Sequence, residues 1–241
     1  MLFTFIPRLT ILEYIMDKVS VSKLVEFRRI KKEGPKQTFI RNLQKEKVQD
    51  PEKKGGGNDY WITSSSAVSA TFWHNDKGYL ENKIQELALK IETNEHKHVK
   101  SQFQRNIDIL VIMQDFDFEL ILPNTELKKL SVKKNILTIA DVPVQVLPQR
   151  IFSYSDQGST QVGGVWFVAK KEGYSDGELG MFCSALYQYL IIRYGDNYAI
   201  DPNYCIAMDI SRAKDLSYTE ILKNGTSEIL LNTITDLNKL L

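Results

Sequence analysis

Asp115, Asp117 and Glu119 stand two residues apart in DFDFELILP, so an extended backbone would turn all three carboxylates to one side. Such a row would hold a cation if a further ligand came from elsewhere. The same alternation describes the wet face of a half-buried strand. Lys170 and Lys171 close the apolar run VWFVA, and Asp156 lies in the turn-like SDQGS. A lysine beside converging carboxylates suits metal-assisted hydrolysis, where the cation activates water and stabilises growing charge. The plainer alternative for both lysines is a solvated strand end, and for Asp156 a turn residue.

A second group is basic. From Asp17 to Gly56 there are 12 Lys and Arg against 6 Asp and Glu, a surplus that sets this segment apart from a chain of net charge +1. Arg28, Arg29, Lys31, Lys32, Lys36 and Arg41 are its densest part. Cations so placed meet phosphates, and binding of that kind weakens as salt rises. Tyr60 and Trp61 follow soon after and would stack on bases. Lys100 and Arg105, on one predicted helix, would extend the patch. Without a reader motif, phosphate contacts imply weak sequence preference. The alternative is a solvated surface over core aromatics.

Other chemistries find little to work with. Gly55–Gly57 runs into Asn-Asp-Tyr and lacks the GK[ST] of a phosphate loop. His74, His96 and His98 form no Ser–His–Asp pattern. Cys183 and Cys205 sit in apolar runs, which raises a thiol's pKa and favours buried structural thiols in a reducing compartment.

At 43% apolar and 25% charged, the 241 residues can build a core. MLFTFIPRLTILEYIM carries Pro7, Arg8 and Glu13 and lacks a basic start, so it reads as an ordered segment rather than a signal peptide. No run approaches the roughly 18 apolar residues of a membrane span. The expectation is one compact cytoplasmic domain, residues 1–241, with no membrane contact.

The elements that must position these residues follow from periodicity. The basic segment, 17–58, predicts a short strand near Leu24–Ile30, a helix near Thr38–Gln44 and a flexible loop at about 48–58. Ser64, Ser65 or Ser66 would cap a helix carrying Val68, Phe72 and Trp73. YLENKIQELALKIE and VKSQFQRNIDILVIM show helical spacing. DFDFELILP reads as a strand with Phe116, Phe118 and Leu120 on one face. NILTIADVPVQVLP reads as two strands around Asp141, and RIFSYSDQGSTQVGGVWFVAKK as a hairpin turning at Asp156–Ser159. Ser175 and Glu178 form a capping box before the stripe Leu179, Phe182, Leu186, Leu190, and Gly195 ends that helix. YCIAMDI is a doubly covered strand, parallel to Val165–Lys170 through a crossover helix. A last helix is expected near 228–240. The class is α+β (mixed α/β): a central mixed sheet with helices on its faces.

Helix, three strands, helix, strand over residues 97–211 resembles the core of the restriction-endonuclease-like (PD-(D/E)XK) superfamily. The resemblance is one of element order. It implies a carboxylate near the end of the second strand and Glu-x-Lys on the third, together holding Mg²⁺. Here Lys170 or Lys171 matches the lysine, Val168 or Ala169 stands where the glutamate belongs, and Asp156 is the nearest first carboxylate. The resemblance therefore implies a nucleic-acid-associated protein whose nuclease-like core is catalytically incomplete and needs no cofactor, in a defence, repair or mobile-element system. Two alternatives stay open. A divergent Mg²⁺-dependent nuclease would bring Asp115, Asp117 or Asp156 to Lys170. A protein-interaction or assembly subunit would set its basic segment against an acidic partner, and apolar residues of its first 16 would cover a subunit interface with a protein partner or a second copy.

Overall fold

Val162 to Val168 contains no exposed residue, and neither does Cys205 to Ile210. Strands buried on both faces must have helices above and below, and this requirement organises the molecule. The structure is a computed structural model that describes residues 18–44 and 60–241. The predicted loop at 48–58 and the first 16 residues lie outside the described residues.

Strand β1 (Val19–Ser20) leads into helices α1 (Val21–Arg29) and α2 (Glu33–Gln44), and α3 (Ile62–His74), α4 (Gly78–Thr93) and α5 (Lys97–Gln114) follow. A 3-10 turn at Phe118–Ile121 precedes β2 (Lys128–Lys129), β3 (Ile136–Ile139), β4 (Val142–Gln145), β5 (Arg150–Asp156) and β6 (Ser159–Val168). Helix α6 (Asp176–Tyr194) crosses to β7 (Ala199–Asp209), and β8 (Lys214–Ser217), α7 (Tyr218–Lys223) and α8 (Ile229–Asn238) complete the chain.

The main sheet runs β2-β5-β6-β7-β8. Only the β6–β7 pair is parallel, with Gly164 beside Cys205 and Val168 beside Asp209. A smaller sheet, β1-β4-β3, stands apart from it. The result is the expected α+β class. Alternating side chains send Val162, Trp166, Cys205 and Ala207 to one face, against α1, α6 and α8. Val165, Phe167, Ile206 and Met208 go to the other face, against α3, α4 and α5.

Most of the predicted elements form. The hairpin turns at Gln157–Gly158, where φ is 46° and 83°, and the β3–β4 hairpin turns at Ala140–Asp141, where φ is 46° and 64°. The capping box at Ser175 and Glu178 is present. The α6 stripe is wider than expected: Met181, Cys183, Ala185 and Tyr189 are buried too, because the helix lies between the sheet and α1 and α8.

Three expectations fail. The predicted strand at Leu24–Ile30 is instead the helix α1, ending at Arg29: Ser20 accepts from the Lys23 amide at 3.3 Å as N-cap, and Val21, Leu24 and Val25 bury one helical face. Ser64, Ser65 and Ser66 do not cap α3, since the helix begins before them and the Ser64 hydroxyl donates back to the Trp61 carbonyl. DFDFELILP is no strand. Asp117 caps the 3-10 turn, Phe118 and Ile121 are buried three apart, and Leu120 is 78% exposed.

At Gly163 the β6 backbone meets β7 so closely that an added Cβ would lie 2.7 Å from Tyr204 Cβ. Gly163→Ala is expected to cost about 1–3 kcal/mol by overpacking. Leu186→Ala, at a fully buried site, is expected to cost about 2–5 kcal/mol. Urea unfolding of the two variants checks both values.

Candidate functional site

Where β6 and β7 end, the chain makes a dense polar knot. Asp209 is fully buried. Its Oδ2 accepts the Tyr174 amide at 2.8 Å, and its Oδ1 accepts the Ser211 amide at 3.0 Å and hydroxyl at 2.6 Å. The Lys170 carbonyl accepts the Gly173 amide at 2.9 Å. Gly173 has φ of 66°, and a side chain there would collide with Arg212. Its carbonyl accepts from Arg29 Nη2 at 2.9 Å.

Arg29 also grips Glu178 with two bonds, Nε to Oε1 at 2.5 Å and Nη2 to Oε2 at 2.7 Å. Glu178 Oε2 accepts the Ser175 amide as well. Burial opposes the charged carboxylate, but the Arg29 guanidinium and Ser175 outweigh it and hold Glu178 down at about 2. Arg29 was expected to face phosphate. Its guanidinium is instead committed to a carboxylate 149 residues away, which makes it a structural strut between α1 and α6.

The expected carboxylates do not gather at Lys170. Asp156 pairs with Ser159 at the start of β6, whereas Lys170 lies two residues past its end. A strand of that length separates them by about 30 Å. At the far end of β6 the Gln149 side chain bonds the Phe167 amide at 2.8 Å and carbonyl at 3.1 Å, and the Asp209 carboxylate beside Val168 is taken up by Tyr174 and Ser211. Asp156 accepts from Gln161 at 3.0 Å, Asp115 ends α5, and Asp117 accepts the Glu119 amide at 3.0 Å. Among the described residues no three His, Cys, Asp or Glu side chains group as a metal site.

The basic and aromatic candidates are also separated. Arg105 donates to the Tyr60 hydroxyl at 2.7 Å, and Tyr60 meets Trp61 edge-on at 4.4 Å. This group and Lys100 belong to the α3–α5 layer, while Arg28 to Arg41 belong to the α1–α2 corner on the other side of the sheet. Lys100 and Arg105 therefore do not extend the patch. At the corner, Arg28, Lys31, Lys32 and Arg41 are exposed, and Lys36 lies half-buried with Nζ 5.1 Å from the Phe27 ring centre. None of the five is ion-paired among the described residues. Arg28, Lys31 and Lys36 line a depression of about 170 Å³ whose one carboxylate, Asp236, is paired to Lys239 at 3.1 Å.

Sequence reasoning missed Asp209, which reads as part of an apolar strand. It also missed a hollow of about 410 Å³ at the opposite end of the sheet, where Tyr154 donates to Asp201 at 2.5 Å beside Tyr204. No protein-family model, curated protein or solved structure matches this chain.

Folding lowers the Glu178 pKa from 4.5 to about 2, so this group adds stability above pH 4.5 that is lost as pH falls towards 2. Glu178→Gln is expected to cost about 2 kcal/mol at neutral pH by leaving Arg29 without its counter-charge, and to flatten the loss between pH 4.5 and 2. Denaturant unfolding as a function of pH checks both. An unchanged acid limb would remove the strut.

Proposed function

We propose that this protein associates with nucleic acid through the α1–α2 corner, on a nuclease-like core that lacks a complete catalytic set. The observation that carries the reading is the corner itself. Arg28, Lys31, Lys32, Lys36 and Arg41 project there without ion-pair partners among the described residues, against Glu33 alone in the same stretch. Cations at that density, without ion-pair partners among the described residues, favour a polyanion, because counterion release drives the association.

The core supports the second half of the reading. α5, β2, β5, β6, α6 and β7 follow the order helix, three strands, helix, strand, with β3 and β4 inserted after β2. The neighbours are antiparallel, antiparallel and parallel in turn. On this reading Val168 takes the position of the missing glutamate, and the Asp209 carboxylate beside it is already bonded to Tyr174 and Ser211 rather than free for a cation. Such a chain would act in the cytoplasm beside a partner that supplies catalysis, in a defence, repair or mobile-element setting.

The test is binding of fluorescent DNA and RNA across a salt series, with Mg²⁺ or EDTA, followed by a gel for cleavage. Salt-sensitive retention without cutting is expected. Reversing Arg28, Lys31 and Lys32 to Glu should abolish retention, with the logarithmic salt slope falling by about three as three phosphate contacts go. Mg²⁺-dependent cutting would replace this reading with a nuclease. Absence of binding at low salt would replace it with a protein partner.

A further inference from the structure

Resting on that reading, we propose that α2 is the element that enters the major groove of duplex DNA. Of its twelve residues only Ile40 is fully buried, with Phe39 and Leu43 half-buried beside it. The opposite side presents Gln37, Thr38, Arg41 and Asn42, all exposed. Gln37 with Arg41, and Thr38 with Asn42, stand four apart and so share one face. The Thr38 hydroxyl accepts from Arg41 Nη2 at 3.2 Å, which steadies the guanidinium. The amides and guanidinium on this face are the groups that pair with base edges in the major groove, whose width of about 12 Å admits a helix.

The flanking charges fit the same pose. Arg28, Lys31 and Lys32 sit at the corner that leads into α2, where a groove-bound helix would pass the phosphate rim. The one carboxylate on α2 is Glu33, at its first residue.

Other anionic ligands fit this corner less well. Single strands are held by stacking on aromatic side chains. Here Phe27 is buried, Phe39 packs on it at 5.8 Å, and Tyr60 and Trp61 lie across the sheet. An RNA duplex has a major groove too deep and narrow for side chains to read. A depression of about 170 Å³ falls short of the roughly 300 Å³ at which small-molecule pockets begin.

The experiment compares the full chain, by fluorescence anisotropy at one salt concentration, on four probes. These are mixed-sequence duplex DNA, the same duplex with glucosylated 5-hydroxymethylcytosines filling its major groove, single-stranded DNA, and duplex RNA. Plain duplex DNA is expected to bind tightest, and the glucosylated duplex about tenfold more weakly. The triple variant Gln37→Ala, Arg41→Ala, Asn42→Ala, with unchanged thermal unfolding, should bind both DNA duplexes alike while keeping most of its salt dependence. Indifference of the unaltered chain to glucosylation would overturn groove entry and leave backbone association standing. Equal or tighter binding of single strands or duplex RNA would do the same. Absence of binding to every probe at low salt would overturn both readings.

Discussion

The parallel pairing of β6 with β7 leaves two strand ends side by side, with helices packed on both faces. Backbone groups at such an end are shut off from water and must find partners within the protein. Asp209 supplies them by accepting from Tyr174 and Ser211, which turns the chain sharply into the loop before α6. Arg29 supplies the next link, bonding both the Gly173 carbonyl and Glu178. The loop, the start of α6 and the end of α1 are thereby held as one polar joint.

That joint has two structural consequences. It engages the Asp209 and Glu178 carboxylates in structural bonds to Tyr174, Ser211, Ser175 and Arg29. It also fixes the last turn of α1, from which Arg28 and then α2 project outward. A long-range ion pair inside the fold thus sets the direction of a basic surface outside it. Arg28 and Arg29 are adjacent in sequence and have opposite fates, one exposed and one bonded inward.

Much of the architecture is legible in the residues. The S-x-x-E box of α6, the apolar run of β7 and the Asp-Gln-Gly-Ser turn each specify their element by local chemistry, and each forms. Short mixed windows mislead. LVEFRRI satisfies a strand as well as a helix until the Ser20 cap and buried Val21 are counted. DFDFELI alternates at its start, yet its buried residues are Phe118 and Ile121, three apart, because the Asp117 cap winds the segment into a turn. The candidate site was less legible than the fold, since it depends on pairings across the chain. Nothing near Arg29 announces Glu178. Nothing near Tyr60 announces that Arg105 will bind it on the opposite layer from the basic corner.

Hydrogen–deuterium exchange of the full chain with and without duplex DNA tests most directly whether the α1–α2 corner is the nucleic-acid face. The account predicts added protection within residues 28–44 and none at the Tyr60, Trp61 and Arg105 group or at the Asp156 end of the sheet. Protection centred on either of those places, or none anywhere under conditions of measured binding, would contradict it.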